Sequence, residues 1–171
     1  FGQTKMPSVV LGPPAHGPPT SASLDVVSLG AGGEIVVGFS ERTIVDGPGP
    51  DLIVWENPFW VGGDPNNPYA ELGEVAVSED GKEWHEWPCD ATDEDEEYLG
   101  CAGRNPVFSN TDNDVLATDP QLAGGDAYDL ADLGIQSARF VRITDTGNNV
   151  YVGDSGGFDL DAIAVVHAPS P

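Results

Sequence analysis

The residues with the clearest chemical potential are carboxylates set into apolar text. In "DGPGPDLIVWENPF" Asp51 and Glu56 bracket a short strand-like run, and in "GGFDLDAIAVV" Asp159 and Asp161 interrupt another. A carboxylate inside a core strand must be paired or metal-bound to offset its desolvation. Arg139 and Arg142 are candidate partners for the last pair, yet the chain has 29 acidic residues against 6 basic ones, so cations of its own cannot serve most of the acids. Hard divalent ions can. Calcium takes six to eight oxygens at roughly 2.3 to 2.6 Å and accepts carboxylates and loop carbonyls together. A second acid-rich stretch, "NTDNDVLATDPQLAGGD", brings Asp112, Asp114, Asp119 and Asp126 close in sequence, without the spacing of an EF-hand loop. Asp46, in the Gly-Pro turn before Asp51, is a further candidate ligand. Each of Asp46, Asp112 and Asp119 has an ordinary alternative as a turn residue capping nearby amides.

Elements must carry these groups, and the text supplies strands. From residue 24 onward short β-like runs, "SLDVVSL", "EIVVGF", "DLIVWE", "GEVAVS", "EWHEW", "ARFVRIT" and "LDAIAVV", alternate with Gly, Pro, Asn and Asp clusters. With 22 glycines and 15 prolines, long helices are excluded, and the pattern predicts an all-β sandwich with at most a short turn over 126–134. Residues 7–20 hold five prolines and predict an extended arm, docked on the body or reaching a neighbouring copy. The chain of 171 residues divides into an arm over 1–23, one domain over 24–168 and a tail over 169–171.

The formal charge of -23 excludes nucleic acid and anionic lipid as partners, because both are bound through Lys and Arg. No apolar run approaches the roughly 20 residues of a membrane span. Cys89 and Cys101 enclose an acidic run and read either as a disulfide of an oxidising compartment or as two separate buried thiols; the histidines add no zinc-ligand spacing. The chain opens on Phe1, as a mature or trimmed form would. Phe59, Trp60 and Tyr69 fall in a Gly, Pro and Asn loop where aromatic rings can stack on sugar faces or fold back on the core. Trp55 and Trp84 read as core residues, and Trp87 as packing on the cysteine pair. Catalytic signatures are missing: there is no nucleophile elbow, phosphate loop or zinc-protease motif.

Two segments resemble discoidin-type, galactose-binding-like domains. "VAVSEDGKEWHEW" looks like that superfamily's strand, Asp-Gly turn and Trp-bearing strand, and "SARFVRITDTG" looks like its late central strand. Together with "DGPGPDLIVWEN", "TDPQLAGGDAYDLADLG" and "GGFDLDAIAVV", the chain also resembles a family of bacterial cell-surface proteins. The resemblance implies an eight-stranded jelly-roll, a secreted or surface location, binding rather than catalysis, and calcium tying an early segment to the last strand. It leaves two functional expectations. One is a calcium-stabilised module recognising a glycan or surface polymer, and the other is a structural subunit joined to further copies through its arm.

Overall fold

The protein, seen in a computed structural model, is described over residues 1–15, 22–40, 42–64, 68–148 and 156–169. Part of the proline-rich arm, the centre of the loop before Tyr69 and the last two residues lie outside these ranges. The described residues form thirteen strands: β1 (Val27–Ser28), β2 (Glu34–Gly38), β3 (Ile44–Val45), β4 (Leu52–Trp55), β5 (Phe59–Trp60), β6 (Pro68–Tyr69), β7 (Gly73–Ser78), β8 (His85–Glu86), β9 (Asp126–Tyr128), β10 (Ser137–Ala138), β11 (Phe140–Asp145), β12 (Asp159–Leu160) and β13 (Ala162–Val165). Helix occurs among them only as short 3-10 turns at Gln3–Lys5, Ser8–Val10, Val61–Gly63 and Leu130–Leu133. None is long and apolar enough to cross a membrane.

Every strand pairing is antiparallel. A four-stranded sheet runs β2-β11-β7-β8 and a three-stranded sheet runs β13-β4-β9, with β1-β12, β3-β10 and β5-β6 as smaller pairs. Side chains of both larger sheets meet in one core, where Leu52 and Val54 of β4 join Val75 and Val77 of β7 and Val141 and Ile143 of β11. This is compatible with a β-sandwich. β11 follows the two-residue period of a half-covered strand, its alternate residues Val141, Ile143 and Asp145 being buried. β4 is buried at all four positions. Its other face, Ile53 and Trp55, packs with Val107, Ala123 and Ala162 in a second cluster. A continuous apolar run is what a strand covered on both sides requires.

Local chemistry sets the connections. After β7, Ser78 Oγ accepts from Gly81 N–H at 2.9 Å and Asp80 Oδ1 from Lys82 and Glu83 N–H at 2.8 and 3.0 Å, while Gly81 takes φ +72°. Trp84 does not enter the core as expected. It is half-buried on the outer face, where the Arg142 guanidinium lies 4.7 Å from its ring centroid. Alternation along the strand gives the inner position to Trp87 instead, which is buried against Tyr128 with ring centroids 4.8 Å apart. The arm is also not extended throughout. It makes 3-10 turns, and Val9 is buried in the main core.

Cys89 and Cys101 form a disulfide across the acidic loop. Immediately after it Ala102 pairs with Gly73, the two exchanging backbone hydrogen bonds of 2.9 and 3.1 Å, so the crosslinked loop is anchored at the start of β7.

Candidate metal centre

Three acidic side chains converge where the two larger sheets and the β1-β12 pair come together. Glu56 follows β4 directly, Glu71 precedes β7 by one residue beyond Leu72, and Asp159 opens β12. One carboxylate oxygen from each lies within 4.8 Å of the other two. Gly103 lets the crosslinked loop close over them. At φ +91° it approaches so near that a Cβ would stand 2.3 Å from the Glu71 carbonyl and 3.5 Å from Glu56 Cγ.

The environment disfavours three bare charges. Glu56 is 2% exposed and Glu71 5%. Glu71 Oε1 accepts from Gly157 N–H at 2.9 Å. Glu56 Oε2 and Asp159 Oδ1, in contrast, are enclosed and meet no donor. Burial pushes Glu56 well above the usual carboxylate range, with the charges of Asp159 and Glu71 adding to it against the Asn57 and Asp159 amides. Burial likewise raises Glu71 to about 7, against the Gly157 amide, and raises Asp159. An enclosed carboxylate oxygen without a donor is destabilising unless a proton or a cation satisfies it. The group can therefore hold a metal ion, and its all-oxygen donors suit a hard cation over a soft one.

The other acids singled out in the sequence sit differently. Asp51 is wholly buried, but Oδ1 accepts from Gly47 N–H at 2.8 Å and lies 2.8 Å from His167 Nδ1, while Oδ2 accepts from Leu130 N–H at 2.8 Å. Its oxygen also lies within 4.8 Å of Asp46 and Asp129. There Asp46 Oδ2 accepts from Gln136 Nε2 and Asp129 Oδ1 caps the turn at Ala131, so hydrogen bonds account for this group. Asp126 accepts from Gly103 N–H, Arg104 N–H and Asn105 Nδ2 at 2.8 to 3.0 Å, and burial still raises it to about 6. Asp161 takes Ala15 N–H on both oxygens at 2.9 and 3.0 Å, and burial raises it to about 7. Asp112 and Asp114 are exposed, and Asp119 accepts the Gln121 and Leu122 amides of its own turn. Among the described residues the fold thus brings the predicted ligands together in two pairs, Asp46 with Asp51 and Glu56 with Asp159, and only the second pair keeps enclosed oxygens without a donor.

Glu71 was not among the predicted ligands. Its signal was available in "AELGEVAVS", an acid one residue removed from the start of a core strand. The aromatic candidates form the ribbon β5-β6, where Phe59 and Tyr69 stack with centroids 5.2 Å apart and planes at 24°. Phe59, Trp60 and Tyr69 are each half-buried. No protein-family model, curated protein or solved structure matches the chain.

Proposed function

We propose that the chain is a calcium-stabilised, non-enzymatic binding module of jelly-roll, galactose-binding-like architecture that works outside the cell and recognises a glycan or surface polymer. One observation carries the cation: Glu56, Glu71 and Asp159 converge within 4.8 Å, with enclosed oxygens on Glu56 and Asp159 that no donor satisfies. Calcium fits because the donors are hard oxygens and because neighbouring carbonyls and water can complete its shell. The disulfide agrees with an oxidising compartment. On the ligand side, the stacked Phe59 and Tyr69 rings with half-exposed Trp60 offer flat apolar surface of the kind on which sugar rings stack.

The test begins with calorimetric titration of the chelator-stripped chain with calcium. One site of measurable affinity is expected, abolished by Glu56→Gln and kept by Asp112→Asn in the exposed loop. Equal affinity in both variants would refute the assignment. Glycan-array binding that Trp60→Ala removes supports the ligand surface; binding that survives that substitution moves it elsewhere.

A further inference from the structure

The N-terminal segment is fastened to the body at the places that supply two of the three carboxylates. In the β1-β12 ladder Ser28 stands opposite Asp159 and Val27 opposite Leu160, and Leu29 N–H continues the pairing to the Phe158 carbonyl at 2.9 Å. Asp161, two residues beyond Asp159, holds Ala15 N–H with both oxygens. Asn57, next to Glu56, donates Nδ2 to the Ser23 carbonyl at 2.7 Å. The first residues then lie on β1, Ser28 N–H donating to the Phe1 carbonyl and Gln3 Nε2 to the Ser28 carbonyl, both at 3.0 Å. The polar holds on Ala15, Ser23 and Leu29 come from Asp161, Asn57 and Phe158, which flank Glu56 and Asp159 in the chain, while Val9 and Val27 pack in the main core.

That placement has an electrostatic consequence. A cation bound between Glu56, Glu71 and Asp159 draws the segments that carry them inward; without it the three carboxyls lose that common centre, and each one that ionises repels the others. Moving Asp159 moves the strand on which β1 pairs, and moving Glu56 moves the amide that holds Ser23. We propose that occupancy of the Glu56, Glu71 and Asp159 site controls docking of the N-terminal segment: filled, it clamps residues 1–15 and 22–28 to the body; emptied, it lets them go while β4, β7 and β11 remain folded. This rests on the cation reading above and adds regulation to it. Coupling is reciprocal, so docking of the segment tightens cation binding by the same factor that the cation tightens docking.

Amide hydrogen exchange on the full chain tests this, with calcium or with EGTA, alongside trypsin cleavage after Lys5 and calorimetric titration. Calcium should slow exchange at Ala15, Val27 and Ser28 and slow the Lys5 cut by about tenfold, within the usual range of coupling between sites. Exchange in β7 and β11 should not change. Asn57→Ala removes a hold on the segment and no carboxylate, and should weaken calcium binding several-fold. Glu71→Gln, altering a side chain whose hydrogen bond goes to Gly157, should abolish the calcium dependence of exchange. If calcium binds with one-to-one stoichiometry and the segment exchanges equally fast in calcium and EGTA, the coupling is overturned and the cation site stands. If no calcium binds, the cation reading fails and takes the coupling with it. The wild-type comparison decides this even where a variant fails to fold.

Discussion

Lowering the pH from 8 to 6 should weaken calcium binding through a proton on Glu71. Burial, opposed by the Gly157 amide and aided by Asp159 and Asp145, holds this carboxyl at about 7 in the cation-free fold. Roughly one molecule in ten is then protonated there at pH 8 and roughly nine in ten at pH 6. A cation must displace that proton, so the apparent Kd rises about tenfold across the interval from Glu71 alone. Glu56, buried more deeply and raised well above its usual range, acts in the same direction. Calorimetry in two buffers of different protonation enthalpy reads both the Kd and the protons released. The chelated protein should respond in the opposite sense. A carboxyl raised in the fold contributes stability that is full below its unfolded value of 4.5 and lost as pH climbs through about 7, so melting should occur at higher temperature at pH 5.5 than at pH 8. General repulsion among the 29 acidic residues and the raised Glu56 and Asp161 have the same sign, so Glu71→Gln should lessen the slope between pH 6 and 8 without removing it. Equal affinity at pH 6 and 8 with no proton release would refute the reasoning, since it would mean that the three carboxylates are already ionised without a cation.

Other substitutions separate structural acids from ligands. Asp126→Ala leaves the Gly103, Arg104 and Asn105 donors without their acceptor and should destabilise by about 3 kcal/mol in a urea melt, equally with calcium and with EGTA. Asp51→Ala, which strips the Gly47 and Leu130 amides and His167 of one shared partner, should show a loss of similar size and the same indifference to calcium. Reducing the Cys89–Cys101 bond should remove about 3 kcal/mol on chain-entropy arithmetic, lowering the melting temperature by roughly 6 to 12 °C in scanning calorimetry.

The strands were legible wherever local pattern and tertiary need agree. "GEVAVS" is β7 to the residue, and "EIVVG" is β2, because alternating or continuous β-branched text is what those sheet positions demand. "SLDVVSL" yielded only the two residues of β1, since its pairing depends on β12, more than a hundred residues away. Trp84 and Trp87 were interchangeable by composition, and only the register Val77↔His85 and Ala76↔Glu86 decides which one faces inward. The candidate site was legible in part for the same reason. Glu56 and Asp159 stood out as acids embedded in apolar runs, but nothing local joins them to Glu71, which meets them only once β4, β7 and β12 have assembled.

Most of the buried acids in this chain are satisfied by amide hydrogens on both oxygens or from distant segments. Asp51, Asp126, Asp145 and Asp161 are all nearly excluded from solvent, and each accepts backbone N–H groups from a segment distant in sequence: Leu130, Gly103, Gly32 and Ala15 respectively. They act as staples, each tying a loop to a strand end, and the paucity of lysine and arginine does not matter to them. Glu56 Oε2 and Asp159 Oδ1 have no such donors. Nearby main-chain amides are already engaged, those of Asn57 and Asp159 with the Glu56 carboxyl and that of Asp161 with the Trp55 carbonyl at 2.9 Å. A cation held between Glu56 and Asp159 would satisfy both oxygens together and leave these bonds intact.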